Sequence, residues 1–168
     1  MDQNILISTS YRFQPLPEDQ LESLRFHIEQ KGLELNIKGL FLLSTEGFNS
    51  TWAGLESNNL EFKAFLQKTL SGEPLVFLDS WYNKEPFRIL RVKIRKEIVT
   101  LGRPDLVPWE LELKKEESHL NPEEWQDWLK NKKVHLIDTR NDYEVEIGTF
   151  KQALNLNIKD FQEFPEKV

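Results

Sequence analysis

The chain reads as a mixed α/β protein in which a β-α-β-β-α-β sandwich is followed by the beginning of a second α/β domain. Three observations predict this. Short β-prone runs at 4–13, 33–43, 48–53, 76–82 and 87–101 are separated by two helical stripes, Leu21, Leu24, Ile28 and Phe62, Phe65, Leu66, Leu70. A proline- and charge-rich stretch at 103–118 then divides the chain before a fresh helix and a buried strand. Finally, 168 residues at 39% hydrophobic content suffice for one complete core and part of a second.

Each element has a local cause. Ile5, Leu6 and Ile7 with Tyr11 and Phe13 form the first strand, which ends at Pro15-Leu16-Pro17. Pro17 suits a first helical turn, and the stripe that follows runs to a stop at Gly32. Leu33 to Leu43 and Phe48 to Ala53 are strands joined through Glu46-Gly47 as a hairpin, with Gly47 at a positive φ. Asn58 with Glu61 predicts a capping box for the second helix, which ends at Ser71-Gly72. Val76 to Tyr82 and Phe87 to Leu101 are strands separated by Asn83-Lys84-Glu85-Pro86. That order is the ferredoxin-like split β-α-β arrangement with an added strand. Both helices cover one sheet face and the other stays free unless a partner covers it.

The expected division is a first domain at 1–102, a linker at 103–118 and the start of a second domain at 119–168. Asn121-Pro122-Glu123-Glu124 supplies an N-cap, a proline at the first helical position and a glutamate at the third, ahead of Trp125, Trp128 and Leu129. Val134-His135-Leu136-Ile137 is then a short buried strand.

Composition narrows the function classes. There is no cysteine, which excludes disulfides, thiolate metal sites and cysteine nucleophiles within these residues. His27, His119 and His135 lack ligand spacing, so neither a metal nor a cofactor is expected. No window reaches the eighteen or so apolar residues of a membrane helix, Met-Asp-Gln-Asn is no signal peptide, and a cytoplasmic protein is expected. The net charge is -6, of which 1–115 contribute 15 basic and 16 acidic groups and 116–168 contribute 7 and 12. Any nucleic-acid contact therefore needs a local basic patch.

Three groups of residues carry possible chemistry. Arg88, Arg91, Lys93, Arg95 and Lys96 lie on one strand with no acid until Glu97, and alternation puts Arg91, Lys93 and Arg95 opposite Leu90, Val92 and Ile94. Such a face contacts phosphates, or else is a solvated face balanced by cross-strand acids. Ser44-Thr45-Glu46-Gly47-Phe48-Asn49 is either a satisfied turn or a polar cluster, with Glu46 and Asn49, facing a substrate or the domain junction. Asp138 and Arg140 follow the second-domain strand at its carboxyl end, where α/β folds build sites. The plain alternative there is an internal ion pair or turn, with Asp142 or Glu144 as the arginine's partner.

Taken together, Glu46-Gly47-Phe48-Asn49 with Thr51 and Ala53-Gly54, the run Arg91 to Val99 with Gly102, Asn121 to Trp125, and Ile137-Asp138-Thr139-Arg140-Asn141-Asp142-Tyr143-Glu144 resemble the rhodanese-related tRNA uridine hydroxylase family. The similarity is collinear over nearly all of the chain. It implies an acylphosphatase-like first domain, a rhodanese-like second domain, and oxygen-dependent formation of 5-hydroxyuridine at the tRNA wobble position. It also implies a Cys-x-x-Gly-x-Arg-Cys loop, which no residue here matches, so the segment is expected to stop before the catalytic cysteine and to be inactive alone. In that reading Arg91, Lys93 and Arg95 hold tRNA phosphates, Glu46 and Asn49 sit near the domain junction, and Asp138 and Arg140 shape the floor of the rhodanese site. Gln152 and Leu156 depart from the family's usual Gly and Pro, and the 103–118 linker diverges. Acylphosphatase activity itself is excluded, because the Gly-x-Val-x-Gly-Val-x-Phe-Arg phosphate loop is missing. The competing class is a noncatalytic rhodanese-like binding or regulatory module, and the oligomeric state is open.

Overall fold

In the computed structural model, residues 4–70, 72–103, 106 and 120–168 are described. They fall into two compact units, Met1–Val99 and Thr100–Val168.

The first unit is built from β1 (Ile5–Phe13), α1 (Glu18–Glu34), β2 (Lys38–Ser44), β3 (Gly47–Leu55), α2 (Glu56–Thr69), β4 (Leu78–Tyr82) and β5 (Leu90–Ile94). The sheet order is β4-β1-β3-β2-β5, antiparallel except for the parallel β2–β5 pair. This is the expected ferredoxin-like sandwich, and the added strand β5 occupies the edge beside β2. Period-two alternation gives the sheet two distinct faces. Trp52, Phe41, Phe48 and Leu43 point into the core, fully buried against Phe62, Leu66 and Ile28 of the helices. The Trp52 ring meets Phe62 edge-on at 5.6 Å. Fully burying side chains of this size contributes about 1.5–3 kcal/mol each.

A polar network fastens α2 to the sheet within this apolar layer. Asn59, fully buried, accepts from Trp52 Nε1 at 3.1 Å through Oδ1 and donates through Nδ2 to the Leu6 carbonyl at 2.8 Å. Ser8 Oγ lies 3.0 Å from Asn59 Oδ1 and 2.7 Å from Asp79 Oδ1, with one proton for the two acceptors. Lys63 Nζ closes the network on Asp79, at 2.7 and 2.6 Å from its two oxygens. Burial raises the Asp79 carboxyl, but the hydrogen bonds from Lys63 and Ser8 outweigh it and hold the group below its usual range.

Three local expectations are corrected. Gly32 does not stop the first helix: α1 continues to Glu34, and a Cβ at Gly32 would come within 2.2 Å of Leu90 Cδ2, so the glycine admits close helix–strand packing. Asn58 does not cap the second helix, whose N-cap is the extended Leu55. Its Nδ2 instead donates to the Leu35 carbonyl at 2.8 Å, tying α2 to the end of α1. The last two strands are shorter than the apolar runs implied. Arg88 lies before β5 and Lys96 beyond it, because the ladder's final rung is Arg95 N–H to the Leu43 carbonyl.

The second unit contains α3 (Pro122–Asn131), β6 (Ile137–Asp138), α4 (Asp142–Ile147), β7 (Leu154–Asn155), a 3-10 turn at Phe161–Glu163 and α5 (Phe164–Lys167). Asn121 caps α3 as anticipated: its side chain accepts from the Glu124 N–H, and the Glu124 carboxylate accepts from the Asn121 N–H, both at 2.9 Å. β6 and β7 pair in parallel. Ile158 and Val145 are buried, and Trp125 meets Phe150 at 5.4 Å between ring centres. Most of the expected 103–118 linker, with Pro104 and Pro108, and also His119, lies outside the described residues.

Candidate functional site

The sheet face turned away from the helices is defined by register. One cross-strand row runs Thr9, Thr51, Leu40, Arg91, and the next runs Tyr11, Asn49, Leu42, Lys93. Ile7, Ala53 and Lys38 make a third, and β4 adds Leu78, Ser80 and Tyr82. None of these positions is a carboxylate, in a chain with 28 acidic residues. The partners of Arg91 and Lys93 are Leu40 and Leu42, so the cross-strand acids that would make this a neutralised face are not there. Among the described residues β5 is an edge strand, so no second neighbouring strand supplies an acid to Arg91 or Lys93. Lys38 differs, since Glu85 neutralises it. Arg95, exposed, continues the alternation just past the strand, whereas Arg88 and Lys96 lie outside β5.

At one end of this face the hairpin holds the chain that leaves β5. Ser44 Oγ donates to the Lys96 carbonyl at 2.9 Å, and Asn49 Nδ2 donates to the Ile98 carbonyl at 3.1 Å. The Glu46 carboxylate accepts from the Ile98 N–H. Glu46 is 5% exposed, and burial pushes its carboxyl above the usual value. The Ile98 and Val99 N–H groups oppose that rise and Glu97 adds to it. The hairpin needs a glycine: Gly47 sits at φ +133°, and a Cβ there would lie 2.0 Å from the Arg12 carbonyl oxygen. The motif read as a satisfied turn or a junction-facing cluster is thus a clamp on residues 96–98.

In the second unit, Asp138 and Arg140 bond to each other rather than Arg140 reaching Asp142 or Glu144. Arg140 Nη2 lies 2.7 Å from Asp138 Oδ2 and its Nε 3.0 Å from Oδ1, while Nη2 also donates to the Gly148 carbonyl at 2.6 Å. Thr149 Oγ1 and the Arg140 N–H donate to the same carboxylate, at 2.6 and 3.1 Å. A two-residue offset at a strand end lets the guanidinium fold back on its own strand. Arg140, then Thr149, hold the Asp138 carboxyl well below the ordinary range, with burial opposing them. Both Asp138 oxygens are occupied, so the pair fixes the shape of a cleft of about 520 Å³ lined also by Trp125, Leu136 and Phe150. Among the described residues no group of His, Asp or Glu is placed to hold a metal ion, and no helix is long and apolar enough to cross a membrane. Sequence reasoning missed Tyr11 on the open face and Thr149 on Asp138. The register of β1 against β3 would have exposed the first, but nothing local signals the second.

The UPF0176 acylphosphatase-like domain family matches residues 5–98. A Legionella pneumophila (strain Lens) protein named tRNA uridine(34) hydroxylase is 41% identical over 165 residues, 98% of this chain and 63% of its own length. Proteins of the same name from Bdellovibrio bacteriovorus and Picosynechococcus are 41% and 39% identical over 98% of this chain and 46% and 53% of theirs. The chain therefore spans about half to two thirds of the curated relatives it matches. Among solved structures it is similar to an acylphosphatase from Coxiella burnetii, with TM-score 0.40, 13% identity, and 54% of this chain and 94% of that one covered. It is also similar to the BlrP1 BLUF structure, with TM-score 0.43, 22% identity, and coverages of 54% and 62%.

Proposed function

The chain belongs to the UPF0176 family through its acylphosphatase-like domain at residues 5–98, and on that premise we propose that it is the substrate-holding part of a tRNA uridine hydroxylase. The observation that carries the reading is collinear identity of 39–41%, over 98% of the chain, with relatives of that name. The sheet face supplies the physical counterpart. In an acidic chain its strand positions carry no carboxylate, and Arg91 and Lys93 pair with no acid among the described residues, which suits phosphate contact.

In this reading Arg91 and Lys93, with Arg95, hold tRNA phosphates. Glu46, Asn49 and Ser44 fix the segment that leads toward the second unit. Asp138 and Arg140 brace the carboxyl end of β6, where a rhodanese-like domain builds its site. The chemical step, oxygen-dependent conversion of the wobble uridine to 5-hydroxyuridine, falls to a cysteine loop outside these 168 residues, which contain no cysteine. The isolated segment is then inactive.

Nucleoside mass spectrometry of tRNA tests the assignment, using a strain deleted for the full gene and the same strain carrying it on a plasmid, both grown in air. The expected result is loss of 5-hydroxyuridine and its derivatives in the first and recovery in the second. Undiminished levels after deletion overturn it. Equal levels in air and in nitrogen would overturn the oxygen dependence alone.

A further inference from the structure

We infer that the open sheet face binds an unpaired RNA segment, with bases packed on Tyr11 and phosphates drawn to Arg91 and Lys93. The inference deepens the tRNA reading and rests on it. Tyr11 is 54% exposed at a central strand, and among the described residues its ring stacks on no other. It shares a row with Lys93, three strands away, hence about 14 Å across the sheet at the usual strand spacing. Between them the floor is Asn49 and Leu42, and the adjoining row leads through Thr51 and Leu40 to Arg91. Asn49 is engaged by the Ile98 carbonyl, so the path from the open Tyr11 ring runs over Thr51 and Leu40, positions without a carboxylate, to Arg91 and Lys93, which pair with no acid among the described residues.

Charge complementarity selects a polyanion for this face, and the aromatic selects its form. A duplex keeps its bases stacked inside and presents only backbone, so Tyr11 would contribute nothing to holding one. An unpaired segment can splay a base onto a tyrosine while its backbone lies along the cationic edge. The relatives are named for uridine 34, an anticodon-loop position, and a loop is such a segment.

Fluorescence anisotropy of labelled RNA with the 168-residue chain tests this, using a single strand of about ten nucleotides and a duplex of the same sequence. The chain should bind the single strand more tightly than the duplex. Tyr11→Ala should weaken single-strand binding by about 5- to 150-fold with its salt dependence unchanged, and Tyr11→Phe should stay within about twofold. Circular dichroism of each variant confirms that the fold is kept. Equal affinity for both probes, or a Tyr11→Ala chain that binds normally, overturns the inference. If Arg91→Glu with Lys93→Glu weakens both probes while Tyr11→Ala weakens neither, the phosphate-holding role survives and the stacking site does not. Binding of neither probe by the unmodified chain defeats both and leaves the face to a protein segment.

Discussion

Arg91 stands opposite Leu40 in the parallel β2–β5 ladder, with no carboxylate beside it on the sheet face. The same holds for Lys93 opposite Leu42. Among the described residues β5 has β2 as its one neighbour, so the leucines at those two positions leave the cations without a cross-strand acid.

Placing an acid at Leu40 should therefore switch the face off without touching a basic residue. Leu40→Glu sets a carboxylate directly across from Arg91, where a cross-strand pair is worth roughly 0.2–1 kcal/mol. Thermal stability should change little, because Leu40 is 39% exposed. RNA affinity in an anisotropy titration should fall several-fold, and Leu40→Gln should have a smaller effect.

Glu46 predicts an inverse pH dependence. Its carboxyl is raised by burial, so the folded chain keeps a proton that the unfolded chain releases. The linked stability is present below the ordinary value of 4.5 and is lost as pH rises through the raised native value. Glu46→Gln keeps an acceptor for the Ile98 N–H and removes the buried charge. Urea unfolding across pH 4 to 8 should show a flatter profile for the variant and no loss of stability at pH 7. Parallel profiles would contradict it.

Removing Asn59 should be costly. Asn59→Ala removes the partner of the Trp52 N–H and of the Leu6 carbonyl inside the first unit, at about 2–6 kcal/mol for two buried unsatisfied groups. Chemical denaturation followed by tryptophan fluorescence measures this. Asn58→Ala, which frees the part-buried Leu35 carbonyl and the exposed Ser57 hydroxyl, should cost less.

Asp138 predicts the opposite pH trend in the second unit. Its carboxyl is depressed, so its contribution is present above the ordinary value of 3.8 and is lost as pH falls below it toward the native value. Arg140→Ala removes the main cause of the depression. Acid unfolding of the second unit, followed by hydrogen exchange at Val145, should then begin at higher pH in the variant. An unchanged midpoint would show that the pair does not brace the cleft.

The order of elements in the first unit was legible because alternation and helical spacing depend on neighbours in sequence. The N-cap at Asn121 was readable for the same reason. What local pattern missed was set across the sheet. Gly32 looked like a helix stop because nothing near it in sequence announces Leu90, 58 positions on, packed against its Cα. Asn58 had the spacing of a cap but finds its acceptor on Leu35. Glu46 and Asn49 stand close in sequence as a polar group, yet their partner Ile98 lies about fifty residues away and only the β2–β5 pairing brings it close. Likewise, whether Arg91 and Lys93 met acids depended on which strand lay beside β5, and sequence alternation alone cannot choose a neighbour.

The most direct measurement is the salt dependence of tRNA binding by this chain and by its Arg91→Glu, Lys93→Glu variant. If the open face holds phosphates, the variant binds all tRNAs more weakly, and the slope of log affinity against log salt shrinks by about 1.4–1.8, the amount for two lost phosphate contacts. Affinity and slope that both match the unmodified chain would contradict the account.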